Sequence, residues 1–173
     1  MLNIDSVPRP FVKLFPNETP THGILAAFLT HGDPQLLKEW DPWRRTWPSL
    51  QSFKDCLPML WAEANSALLP PAITGTWNAF SGDPQDMDHD YESTYQNIIP
   101  QQRKRFRMAW ERVLTVFPDT DWDTFAYNWL VINTRSFYYV PAEREVPLEW
   151  NDAVGLVPIA DYFNHAENEV SRS

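Results

Sequence analysis

Sixteen prolines in 173 residues limit how long any helix in this chain can run. A proline inside a helix removes a backbone hydrogen bond and its ring clashes with the preceding turn. Pro8, Pro10, Pro16 and Pro20 crowd the first twenty residues, so no long helix is expected there. The alternation in Phe11-Val12-Lys13-Leu14-Phe15 allows one short edge strand between them.

From Thr21 the pattern turns helical. Ile24, Leu25, Phe28 and Leu29 recur at helical spacing and stop before Gly32-Asp33-Pro34. Leu36, Leu37, Trp40 and Trp43 suit a second short helix limited by Pro42. Further short helices are expected over residues 62–69 and 73–80, separated by Pro70-Pro71. Residues 81–90, with Gly82, Pro84 and four aspartates, read as a loop. The clearest helix follows Pro100: Phe106, Trp110, Val113, Leu114 and Phe117 form one apolar stripe, and Pro118 ends it. Asp119 or Asp121 can cap the next helix, whose stripe is Trp122, Phe125, Ala126, Trp129 and Ile132. After Thr134 the signal changes. Phe137-Tyr138-Tyr139-Val140 and Val154-Gly155-Leu156-Val157 favour strands, with a charged, proline-bearing loop over 141–152 between them.

Composition excludes several classes. A hydrophobic fraction of 43% with 21% charged residues is that of a folded domain with a core. The nine tryptophans are expected mainly to fill it. A formal charge of −9 argues against nucleic acid as a partner, since phosphate binding needs a basic face, and suits a basic protein or peptide. No apolar run is long enough to span a membrane, and Met1-Leu2-Asn3-Ile4-Asp5 does not begin a secretory signal. Cys56 stands alone, which excludes an internal disulfide and fits a reducing compartment. The expected location is intracellular, cytoplasmic or nuclear.

Metal and nucleophile chemistry find no support. His22, His31, His89 and His165 are too scattered for a spacing-defined site. A calcium loop beginning at Asp86 would need Gly and Glu where Tyr91 and Asn97 stand. Cys56 carries no signature of an activated thiol, and neither a G-x-S-x-G string nor a phosphate-cradling glycine loop occurs.

Two strings remain. Leu156-Val157-Pro158-Ile159-Ala160-Asp161-Tyr162-Phe163-Asn164-His165-Ala166 bends an apolar run at a proline, reaches an acid and presents an Asn-His pair. Upstream lies Asn133-Thr134-Arg135-Ser136-Phe137-Tyr138-Tyr139. In this order they resemble the SET-domain protein lysine methyltransferases, in the branch of the RuBisCO large-subunit methyltransferase. There an "SRAF"-like segment precedes a "PxADxxNH" segment. Trp47-Pro48-Ser49, Phe53, Leu57-Pro58 and Trp61 also resemble the start of that branch's helical insert.

The resemblance implies an α+β fold: a partial SET-type β fold interrupted by a large, mainly α-helical insert. Residues 1–20 would be the partial N-terminal part, 21–132 the insert, and 133–173 the central segment with the Asn-His motif. It further implies S-adenosylmethionine as cofactor, bound by Asn164 and His165, and a protein substrate carrying a target lysine, contacted near its channel by Arg135 and Asp161. Methyl transfer of this kind is positioning and electrostatics and needs no metal. No catalytic residue is carried over. The family's G-x-G cofactor loop has no counterpart in this sequence, and no tyrosine follows His165 where the family's essential one lies. The chain is therefore expected to be a fragment, inactive by itself, with terminal strands around 11–15 and 154–159 whose partners lie outside it. A second reading, from another class, is a non-catalytic Trp-rich helical interaction module carrying a degenerate SET remnant.

Overall fold

Prolines in this molecule mark where helices begin. A computed structural model describes residues 1–74, 98–140, 153–158 and 160. Its helices are α1 (Arg9–Val12), α2 (Thr21–His31), α3 (Pro34–Lys38), α4 (Asp41–Arg44), α5 (Leu50–Cys56), α6 (Glu63–Ser66), α7 (Pro71–Thr74), α8 (Ile98–Val116) and α9 (Trp122–Arg135). The strands are β1 (Leu2–Asn3), β2 (Ser136–Tyr138) and β3 (Val154–Leu156), and 3-10 turns cover Ile4–Ser6 and Pro58–Leu60. Pro34 and Pro71 are first residues of their helices, Pro10 and Pro42 second, and Pro100 third. In the first turn the missing N–H has no helical partner to lose, so proline's fixed φ is tolerated. This corrects two expectations. Pro42 lies in the first turn of α4, which Asp41 starts, instead of limiting one helix through Trp43, and α8 begins two residues before Pro100.

The expected edge strand at 11–15 is also corrected. Residues 9–12 form a helical turn, with Phe11 N–H bonding Pro8 O at 2.9 Å and Val12 N–H reaching the same oxygen at 3.2 Å. Phe11 and Phe15, four apart, meet on one side at 5.7 Å between ring centroids. Phe11 also packs edge-on to Phe28 at 5.4 Å and stacks on Phe117 at 5.8 Å. A helical turn satisfies this aromatic cluster, whereas a strand would split alternate side chains between two faces. The edge strand is instead Leu2–Asn3. It ends where Asn3 Oδ1 accepts from Ser6 N–H (3.0 Å) and Ser6 Oγ accepts from Asn3 N–H (2.9 Å), a reciprocal cap.

The chain divides into two compact units, one of residues 1–47 with 113–173 and one of residues 48–112. At the centre of the first, α2 is buried over nine successive residues, Thr21 to Leu29. Such a helix needs no polar face because solvent reaches none of it. Its main partner is α9, which buries Phe125, Asn128, Trp129, Leu130, Val131 and Ile132. Each large apolar side chain so buried contributes about 1.5–3 kcal/mol. A polar contact crosses this pair. Asn128 Nδ2 donates to Thr30 Oγ1 (3.0 Å), and that hydroxyl donates to Ala26 O (2.8 Å). Asp121, at the start of α9, accepts from Thr124 N–H at 2.8 Å, the expected cap. Trp122 departs from the expected stripe and is half exposed.

The three strands form one antiparallel sheet in the order β1-β3-β2. The fold is thus α+β, helices with a small antiparallel sheet. β3 lies between two partners: Leu156 faces Leu2 on one side and Ser136 on the other, and Gly155 faces Asn3 and Phe137. The expectation that β3 finds its partners outside the chain is overturned. Leu2, Val154 and Leu156 point to the buried face, at 1%, 7% and 0% exposure.

In the second unit, Ser49 caps α5 by accepting from Ser52 N–H at 3.1 Å, and Phe53 is buried. The indole of Trp61 donates to Asp55 O at 3.2 Å. The expected helix over 73–80 is described only to Thr74, and the expected loops at 81–90 and 141–152 lie outside the described residues.

Candidate active-site junction

The segment Asn133-Thr134-Arg135-Ser136 is where α9 becomes β2, and its polar side chains finish the helix. The last four carbonyls of a helix, here Ile132 to Arg135, have no intrahelical donor, and side chains can also bond back to carbonyls one turn earlier. Here Asn133 Nδ2 donates to Trp129 O (3.0 Å) and Thr134 Oγ1 to Leu130 O (2.8 Å). Ser136 serves Ile132 O through both its N–H and its hydroxyl. Three of these four residues therefore have local structural work. Arg135, the fourth, is the last residue of the helix.

Arg135 is half-buried at the end of α9. The pairing of Ser136 with Leu156 sets the junction beside β3. Because the strands are antiparallel, the chain continuing from Leu156 to Pro158 leaves the sheet at the end where Arg135 enters it. The roots of the two strings singled out in the sequence are thus neighbours, although 20 residues of sequence separate Ser136 from Leu156. Of the four expected site residues, Arg135 alone is described. Asp161, Asn164 and His165 lie outside the described residues.

Sequence reasoning missed Tyr127 and Arg44. Tyr127, two turns before Arg135 on α9, is half-buried, and burial raises its phenol above the ordinary value. The nearby positive charges of Arg44 and Arg135 act the other way, which sets all three in one neighbourhood. Arg44 pairs with Asp41 at 3.5 Å and sits over the Trp47 ring, 5.8 Å from its centroid. Trp47 in turn meets Trp43 edge-on at 5.1 Å. No local signal in the sequence links Arg44 to Arg135, which are 91 residues apart.

Elsewhere the chemistry is sparse. Among the described residues no three His, Cys, Asp or Glu side chains come together to hold a metal ion. Cys56 is exposed at the end of α5. A cleft of about 400 Å3 in the second unit is lined by Lys54, Asp55, Trp61, Asn65, Leu68 and Leu69. No helix among the described residues is long and apolar enough to cross a membrane.

Comparison with known proteins finds no matching family model, curated protein or solved structure.

Proposed function

We propose that this chain belongs to a SET-type protein lysine N-methyltransferase that uses S-adenosylmethionine. Residues 1–173 would carry substrate- and cofactor-binding segments and not the whole catalytic apparatus. The supporting observation is the antiparallel pairing of Ser136 with Leu156, which brings the Arg135 string and the strand leading to the Asn-His motif to one end of one sheet. In this reading Asn164 and His165 hold the cofactor. An Asn amide is complementary to the amine-and-nitrogen edge of adenine. S-adenosylmethionine supplies the methyl group. Arg135 and Asp161 flank the lysine channel, where a fixed carboxylate attracts the target lysine's ammonium and orients it. The substrate is then a lysine-bearing, basic protein segment, in keeping with the chain's net charge of −9.

The full coding sequence, incubated with methyl-labelled S-adenosylmethionine and a protein extract, should label protein lysines. Asn164→Ala with His165→Ala should abolish the label. A folded product that transfers no methyl group and binds no cofactor would sink the reading. For residues 1–173 alone, calorimetry should find binding weaker than about 1 μM (about −8 kcal/mol). The sequence lacks the family's G-x-G loop, so one cofactor-contacting segment is not there to contribute.

The alternative, a Trp-rich docking module, draws less support. Trp43, Trp47 and Trp129 are buried, Trp40, Trp61 and Trp110 partly so, and among the described tryptophans Trp122 alone is classed as exposed.

A further inference from the structure

Charge is segregated along α8. Of fourteen Lys and Arg residues in the chain, five fall between positions 103 and 112: Arg103, Lys104, Arg105, Arg107 and Arg112. Glu111 is the acid among them, so this stretch carries a local excess of four positive charges in a chain of net −9. Arg103, Lys104 and Arg107 are exposed, and Arg105 and Arg112 partly buried. At about 100° per residue the three exposed bases share an arc of about 100°, spread over about 6 Å of helix axis. Met108, 41% exposed, borders that arc.

This arrangement is unfavourable for the helix itself. Arg103 and Arg107 stand at i and i+4, where like charges repel, and Glu111, exposed on the same arc four residues beyond Arg107, offsets part of this. No ion pair joins Arg103, Lys104 or Arg107 to a described residue, and the contact Arg103 makes is a long one, to Met59 O at 3.4 Å. Arg105, about 100° further round the helix, is partly buried, and burial lowers its affinity for its proton.

We propose that the face of α8 bearing Arg103, Lys104 and Arg107 is a docking surface for an Asp/Glu-rich segment of a partner protein. Guanidinium forks match carboxylates in bidentate geometry, and two of the three exposed bases are arginines. A polyanionic nucleic acid fits less well. Its binding rests on many phosphate contacts along an extended basic face, whereas this band is short and the rest of the chain is acidic. At physiological salt, charges act over about 8 Å, so a short acidic peptide feels the band more than the acids lying beyond it. The proposal is independent of the methyltransferase reading.

Fluorescence anisotropy with the full chain and a dye-labelled Asp/Glu-rich peptide tests it, beside a single-stranded oligonucleotide of equal charge. Each exposed pair supplies up to about a fivefold factor. The triple variant Arg103→Ala, Lys104→Ala, Arg107→Ala should therefore bind the peptide about tenfold or more weakly. Added salt should weaken wild-type binding. Lys38→Ala with Arg45→Ala, exposed bases outside α8, should leave it unchanged. The proposal is overturned by absent peptide binding, by salt-insensitive binding, by equal binding of the triple variant or by equal loss in the Lys38/Arg45 control. Tighter binding of the oligonucleotide would also overturn it, and would point to nucleic acid.

Discussion

The α2–α9 pair and the three-stranded sheet sit in the same unit but are held together differently. The helices run eleven and fourteen residues and meet through a largely apolar surface crossed by a polar contact from Asn128 to Thr30. The strands run two or three residues, shorter than the five or six usual in proteins. A ladder that short contributes few hydrogen bonds, so the sheet depends on Leu2, Val154 and Leu156 burying one face. The junction at Arg135 belongs to both. Its position is set from the helix side by three side chains bonded to carbonyls of the last two turns of α9, and from the sheet side by one residue pair. The helical core therefore fixes Arg135, and the sheet sets β3, which ends at Leu156, beside it.

The largest effects should come from removing the anchors of each region. Trp129 is 1% exposed within α9, and Trp129→Ala should cost about 3–5 kcal/mol. Leu156→Ala, at a residue with no exposure, should cost about 2–5 kcal/mol. Hydrogen exchange separates the two. Trp129→Ala should expose amides throughout α2 and α9, while Leu156→Ala should raise exchange at β1 and β3 more than in α2. Equal loss of α2 protection in both variants would mean that helices and sheet open as one cooperative body, and the distinction drawn above would fail.

The same contrast explains what could be seen in the sequence. Both helices were legible because their apolar residues recur at helical spacing over about two turns: Ile24, Leu25, Phe28 and Leu29 in one, Phe125, Trp129 and Ile132 in the other. Capping by Asp121 was legible for the same local reason. The partners of β3 were not. Pairing of Leu156 with Leu2 spans 154 residues, and a strand of two or three residues carries no periodicity to reveal it. Phe11-Val12-Lys13-Leu14-Phe15 misled because an apolar run of five, broken by one lysine, suits a strand or a helical turn equally. Phe28 and Phe117 decide between them, and neither is local. Of the site, the string around Arg135 was visible, while the neighbourhood it shares with Tyr127 and Arg44 arises only from tertiary packing.

Two glycines sharpen the comparison at intermediate magnitude. Gly32 ends α2, and a Cβ there would lie 2.4 Å from Phe28 O and 2.8 Å from the Phe28 ring. The backbone oxygen cannot move without disturbing the helix end, since it accepts from Gly32 N–H at 2.8 Å. Gly32→Ala should therefore destabilise by about 1–3 kcal/mol, as overpacking does. Gly155, at the centre of the sheet, is different. Its Cβ would meet Asn3, Met1 and Tyr139 at 3.5 Å, ordinary van der Waals contact. Alanine there also loses less backbone entropy on folding, so Gly155→Ala should lie between neutral and about 0.5–1 kcal/mol stabilising. Thermal unfolding of the two variants compares them directly. A destabilised Gly155→Ala would show that the sheet is packed as tightly as the helical core.

The smallest expected effect is the pH response of His31, the last residue of α2. Its ring stacks on Phe117 with centroids 4.2 Å apart and planes 17° from parallel. Thr120 Oγ1 gives its only proton to Phe117 O (2.6 Å), so the 2.8 Å contact with His31 must be donated by Nε2–H. The neutral ring thus carries its proton on Nε2, and protonation adds one at Nδ1 without breaking this bond. What changes is solvation: burial lowers the pKa of His31 below the ordinary value of about 6.5. At a pH between the folded and unfolded values the unfolded chain binds more protons, so stability rises with pH. The contribution is complete above about pH 6.5 and is lost as pH falls through the lower folded value. Other histidines and the carboxylates titrate in overlapping ranges, so the informative quantity is a difference. His31→Gln keeps an amide donor for Thr120 and does not titrate. Melting temperatures of wild type and His31→Gln should differ by a constant above about pH 6.5, with wild type losing ground below it. A constant difference across the whole range would show that the end of α2 is open enough to solvate the charged ring. The close packing assigned to the helical side of the molecule would then stop short of His31.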